Sequence, residues 1–139
     1  MEEVAMLKLR YDTIQAITTH AMNTPELEVV GLVWEVRGVQ TVRRLRNTHS
    51  DPRRYYCVDP DELRLAYQVM ERSGGEPLAF YHSHPGGKSD PSEEDMLGAL
   101  NDGMHYLIAY PKTETLWRVS AWECITLQVL VEDNIEVLR

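Results

Sequence analysis

The stretch PLAFYHSHPGGKSDPSEED, residues 77–95, governs how the rest of the chain is read. Leu78, Ala79, Phe80 and Tyr81 make an apolar run that ends in polar residues, the pattern of a central strand with an exposed tip. Residues two apart in a strand point to one face, so His82 and His84 aim both imidazoles at one point while Ser83 faces away. After a glycine-rich loop, Asp90-Pro91-Ser92-Glu93 carries a capping acid before proline and predicts a helix from about Ser92 to Leu100. Asp95 follows Ser92 by three residues, so the two share a helical face that can turn back toward the strand end. Ligands of N, N and O type suit zinc with an open fourth position, which is how catalytic sites differ from closed structural ones.

Working outward, Val4 to Arg10 alternates as a strand does, and Tyr11 to Met22 carries Ile14, Ile17 and Ala21 at helical spacing. Asn23-Thr24-Pro25 breaks that helix. Glu28 to Val36 predicts a strand, Arg37-Gly38 a turn, and Val39 to Arg46 the second arm of a hairpin. Asn47 to Pro52 reads as a loop and Tyr55 to Val58 as a short extended piece. Asp59 fits an N-cap, with Pro60 and Glu62 at the first and third helical positions. Leu63, Leu65, Ala66, Val69 and Met70 supply its apolar face, and Ser73-Gly74-Gly75 ends it. Beyond Asn101-Asp102-Gly103, the segments His105 to Tyr110, Thr115 to Ala121 and Ile125 to Val131 read as three strands. The sum is an α/β domain with a mixed, curved sheet and helices on its faces, the metal lying where the histidine strand meets the Asp95 helix. No internal repeat, low-complexity tract or linker interrupts it.

A chain of 139 residues fits one domain, and 43% apolar with 26% charged residues is close to the globular average. Lys and Arg number 14 against 22 Asp and Glu, a balance of −8 that disfavours nucleic acid as the partner. The cluster Arg43, Arg44 and Arg46, followed by Arg53 and Arg54, reads as a solvated face or a docking patch for an acidic protein. Cys57 and Cys124 form neither a disulfide framework nor a C-x-x-C zinc knuckle, which suits a reducing compartment. With no basic-then-apolar leader and no run near the length of a membrane span, the expected location is cytoplasmic, with no membrane partner. The oligomeric state is not legible.

The run His82-Ser83-His84-Pro85, six residues, then Ser92-x-x-Asp95 resembles the signature of the JAMM (JAB1/MPN/Mov34, MPN+) zinc metallopeptidases without gap or substitution. Glu28-Val29-Val30-Gly31-Leu32 looks like the segment in which that family keeps its glutamate. The resemblance implies a single JAB1/MPN (cytidine-deaminase-like) fold over residues 1–139. It also implies one Zn2+ per chain on His82, His84 and Asp95, a catalytic water activated by Glu28, and a Ser92 hydroxyl donating to the oxyanion. Glu26 is the nearby rival to Glu28 and reads better as a surface carboxylate. Val30 and Trp34 stand where many bacterial members have Cys and a second Gly, which leaves the subfamily open. His105 reads as packed or hydrogen-bonded, His20 and His49 as plain surface groups, and no second zinc is expected.

JAMM proteins cut at the carboxyl end of a ubiquitin-like protein, after Gly-Gly. The style of the loop with Asn47, Pro52, Tyr56, Asp59 and Pro60 looks like that of peptidases that release a C-terminal cysteine, or another appended residue, from a ubiquitin-like sulfur-carrier protein. An isopeptidase that strips such a modifier from lysines is the alternative enzyme. A non-catalytic MPN scaffold is a third reading, but scaffolds lack one or more ligands and this chain lacks none. An amidohydrolase barrel needs roughly 250 residues, and a cupin has no room for two well-capped helices.

Overall fold

The computed structural model describes residues 6–99, 104–126 and 128–139. The expected Val4 and Ala5 of the first strand, Leu100 at the end of the metal helix and the Asn101-Asp102-Gly103 turn lie outside them. The elements run β1 (Met6–Arg10), α1 (Tyr11–Asn23), β2 (Val30–Val36), β3 (Val39–Leu45), α2 (Pro60–Arg72), β4 (Glu76–Ser83), α3 (Glu93–Gly98), β5 (His105–Pro111), β6 (Trp117–Thr126) and β7 (Val129–Leu138). Seven strands form one sheet in the order β1-β7-β6-β5-β4-β2-β3. The β4/β5 and β1/β7 pairs are parallel and the others antiparallel, so the sheet is mixed as expected.

The sheet curls until its two edges are joined by one side chain. Gln40 of β3 accepts from the Arg10 amide (2.9 Å) and the Thr13 hydroxyl (2.7 Å), and its amide nitrogen donates to the Lys8 carbonyl (2.9 Å). Helix α1 fills the concavity, burying Ile17 and Ala21 against Leu7, Leu9, Val33, Tyr81, Leu107 and Ala121. Leu9, Ile17 and Leu107 are fully excluded from solvent, and each such side chain stabilises by roughly 1.5–3 kcal/mol. That burial outweighs the missing side-chain cap at Arg10, where strand runs straight into helix. The opposite face packs α2, through Ala66 and Met70, on Leu32, Trp34, Ile108 and Trp122.

Local chemistry explains most boundaries. Asp59 accepts from the Glu62 amide at 3.2 Å with Pro60 at the first helical position, as expected. Arg37 and Gly38 both have positive φ, 50° and 82°, and form the tight β2–β3 turn. Gly31 is required for packing: a Cβ there would collide with the ring of Tyr81, its cross-strand partner. Tyr81 crosses the strand at that point and its hydroxyl pairs with His20 Nδ1 at 2.7 Å.

Four expectations are corrected. The final hairpin has Gln128 at φ 64° just before β7, and β6 and β7 each run further than the alternation predicted. Trp122 and Cys124, read as the gap between strands, are buried on the α2 face, and the charged 132–138 stretch is a strand because it pairs with β1. The metal helix is capped by Ser92 rather than Asp90 and spans Glu93–Gly98. Glu28 and Val29 precede β2 rather than opening it. His20 is not a plain surface group: burial, then the Arg44 charge, hold its pKa down to about 4.

Candidate metal centre

Strand register assembles the site. Val30 lies opposite His82 in the antiparallel β2/β4 pair, and the Ser83 amide donates to the Val29 carbonyl at 3.0 Å. Two-residue periodicity therefore puts Glu28 on the same face as His82 and His84, the face that α2 covers further along. The His84 amide still donates to Ala109 of β5 at 2.8 Å, after which the chain leaves the sheet through a turn closed by Gly87, φ 93°. The return at Ser92 is fixed by a capping box: Ser92 Oγ accepts from the Asp95 amide (3.1 Å) and the Ser92 amide donates to Asp95 Oδ2 (2.8 Å).

That box delivers Asp95 Oδ2 to 3.1 Å from His82 Nε2 and 3.0 Å from His84 Nε2, while the two nitrogens are 3.1 Å apart. His84 Nδ1 lies 2.9 Å from the Lys88 carbonyl. A carbonyl only accepts, so Nδ1 carries a proton; Nε2 then faces Asp95 with a lone pair when the ring is neutral and donates to it when the ring is protonated. Acceptors facing acceptors require a cation between them, either a proton or a metal. Atoms bound tetrahedrally to zinc at ~2.0–2.1 Å stand about 3.3 Å apart, so the triangle is within a few tenths of an ångström of a zinc cradle. The donor set fits the metal.

Charge follows from the same contacts. Burial pushes Asp95 up, but the hydrogen bonds from His82 and His84 outweigh it and hold the carboxyl well below the usual range. Burial dominates at His82 and lowers it. At His84 burial also acts downward, yet Asp95 and the Lys88 carbonyl together prevail and raise it. Glu28 stands beside this group with only 6% of its surface exposed, and a carboxyl oxygen of it and the two histidine nitrogens all lie within 4.8 Å of one another. Burial raises its pKa to about 8, His84 acting downward and Asp95 and Asp51 upward. Glu26, the rival, is exposed.

Three further residues support the site; the sequence marks Asn47 and Tyr56 only as part of a family-like loop, with no role, and Ser83 only as the residue facing away from the histidines. Asn47 Nδ2 donates to the carbonyls of Glu28 and Tyr55 (both 2.9 Å) and its Oδ1 accepts from His49 and Cys57, so one amide pins the Glu28 backbone to the loop. Ser83, the residue between the histidines, accepts from the Val29 amide. Tyr56 stacks on His82 with ring centroids 4.6 Å apart, and burial, then the charge of Asp95, keep its phenol protonated. A serine inside H-x-H is visible as a clamp only once its strand has a partner; Asn47 and Tyr56 act from a loop whose path has no periodicity to read. His49, expected on the surface, lines a cavity of about 300 Å³ with Tyr56, Ser92 and Asp95. His105 lies away from the metal group, its Nδ1 3.0 Å from Asp133. Both cysteines are free, and among the described residues no helix is long and apolar enough to cross a membrane.

A curved mixed sheet with two histidines and an aspartate converging at one strand end, and a buried glutamate beside them, defines a metalloprotease-type hydrolase. The chain belongs to the prokaryotic homologs of the JAB domain, whose family model matches residues 11–124. It is 32% identical over 112 residues to Desampylase of Haloferax volcanii, covering 76% of this chain and 81% of that one. It is 37% identical over 86 residues to the Probable TtuB-protein conjugate cleaving protease of Thermus thermophilus, covering 62% and 58%. A solution structure of a protein from Desulfitobacterium hafniense superposes with TM-score 0.81 at 24% identity, over 96% of this chain and 94% of that one. The JAB1/MPN domain protein of Archaeoglobus fulgidus superposes at 0.60 and 19%, over 95% and 99%, a likeness of fold alone.

Proposed function

We propose that the chain is a single-domain zinc peptidase that hydrolyses the amide bond after the C-terminal Gly-Gly of a ubiquitin-like sulfur-carrier protein, releasing an appended cysteine or other residue. The observation that carries this reading is the 3.0–3.1 Å triangle of His82, His84 and Asp95 with Glu28 buried beside it. His82, His84 and Asp95 hold one Zn2+. When bound, that ion supplies Lewis acidity, polarising the scissile carbonyl and lowering the pKa of water.

The protein's own groups do the rest. Glu28 takes a proton from the attacking water and returns it to the leaving nitrogen. The raised proton affinity that burial gives the metal-free carboxyl suits a group that must both accept and give. Ser92 Oγ accepts from the Asp95 amide, which leaves its own O–H free to donate to the oxyanion. The slim Gly-Gly tail suits a narrow approach, and backbone pairing of an extended segment supplies affinity. Two free cysteines fit a cytoplasmic setting.

The name of the Thermus relative speaks of cleaving protein conjugates, and this favours the second reading, removal of a ubiquitin-like modifier from lysines. Incubating the zinc-loaded enzyme with a carrier–cysteine adduct and with a lysine-linked conjugate separates the two. The first reading predicts release of cysteine at the higher kcat/KM. Preference for the lysine-linked conjugate would replace it with the second.

A further inference from the structure

We propose that Arg53, Arg54 and Lys88 recognise the free α-carboxylate of the released residue, so that the enzyme selects carrier tails ending in a single added amino acid. The inference rests on the peptidase reading above. Several cavities border the metal triangle, among them one of about 540 Å³ along His84 and the 87–92 loop; of those at the triangle, Glu28 lines the one of about 200 Å³, together with His84. Because Glu28 must hand its proton to the leaving nitrogen, the leaving group belongs in that cavity. The cavity of about 300 Å³, lined by Tyr56, Ser92 and Asp95 and not by Glu28, is assigned to the acyl side.

Charge on the leaving-group side runs against the molecule as a whole. The chain carries −8, yet Arg53, Arg54 and Lys88 all line this cavity, where Glu28 is the one acid among the described lining residues; Arg54 also borders the 300 Å³ cavity and Lys88 the 540 Å³ one, so Arg53 is the cation set on this side alone. Arg54 Nε lies 3.9 Å from Asp51, beyond hydrogen-bond distance. Among the described residues Arg53 and Lys88 form no ion pair, and all three cations are exposed. A released amino acid presents a carboxylate one carbon from the cleaved nitrogen, and a guanidinium fork matches it in geometry. A lysine within a protein offers no such anion, since its own α-carboxyl is in a peptide bond.

The test uses zinc-loaded enzyme and three carrier substrates extended beyond Gly-Gly: by cysteine with a free carboxylate, by cysteine carboxamide, and by aspartate carboxamide. Amidation of the cysteine substrate is expected to lower kcat/KM about tenfold or more, mainly through KM, the size of a lost charge-assisted hydrogen bond. In the Arg53→Gln/Arg54→Gln/Lys88→Gln triple variant, with zinc content and Tm retained, acid and amide should be cleaved within about twofold of each other, and an undiminished preference for the acid would overturn the assignment to these three cations. Equal cleavage of acid and amide by the wild type overturns the carboxylate assignment while leaving the peptidase reading intact. Aspartate carboxamide cleaved as fast as free cysteine overturns it in favour of acidic side chains. Failure to cleave any of the three with zinc bound rejects the peptidase reading itself.

Discussion

The hydroxyl of Ser83 accepts a hydrogen bond from the backbone amide of Val29 at 2.8 Å, so the residue between the two metal-facing histidines clamps the segment that carries Glu28. Both groups are buried, Ser83 completely. Removing the hydroxyl leaves the Val29 amide without a partner in a place water does not reach, at about 1–3 kcal/mol. Ser83→Ala should therefore unfold at lower denaturant concentration by that amount and lose turnover beyond the stability effect. Its zinc content should stay near one per chain. Unchanged stability and turnover would show the clamp to be idle.

The proton-transfer and metal-holding roles separate by substitution. Glu28→Gln keeps the shape and the backbone pins and is expected to bind zinc normally while kcat falls by about 10²–10⁴. His82→Ala or Asp95→Asn should lose the metal as well, measured by metal analysis of protein purified with added zinc. Full turnover by zinc-loaded Glu28→Gln would reject the assignment of the base.

Gly31 has no room for a side chain because Tyr81 crosses it. Gly31→Ala is expected to cost about 1–3 kcal/mol, the range for overpacking a core. Pairing it with Tyr81→Leu should restore part of the loss, since the colliding ring is gone. Additive losses in the double variant would contradict a direct clash.

Two groups give the metal-free chain opposite pH dependences. Glu28 is raised from 4.5 to about 8, so its contribution to stability is full below pH 4.5 and is lost as pH rises toward 8. His20 is lowered from 6.5 to about 4, so its contribution is full above pH 6.5 and is lost as pH falls toward 4. Denaturant unfolding in chelator across this range should show Glu28→Gln flattening the alkaline decline and His20→Gln the acid one. Parallel curves for wild type and both variants would refute the shifts.

Much of this was legible in the chain because local rules and the fold agree. The spacing of His82, His84, Ser92 and Asp95 states its geometry directly, since a strand period and a capped helix turn are short-range facts. Asp59 and Pro60 announced α2 for the same reason. What stayed hidden depends on long-range partners. The β6–β7 turn at Gln128 has no glycine or proline to mark it, and the charged tail becomes a strand only because β1 lies beside it. Gln40 joining the sheet edges, and Asn47 holding Glu28, are contacts across 32 and 19 residues that no local pattern encodes.

The central claim is that His82, His84 and Asp95 share one divalent ion beside the Glu28 carboxyl. Crystals grown with zinc and measured at the zinc absorption edge test it most directly. The account predicts one anomalous peak per chain, ~2.0–2.2 Å from His82 Nε2, His84 Nε2 and an Asp95 oxygen, with Glu28 close by but unbound. An empty triangle at saturating zinc, or a peak held by other side chains, would contradict it.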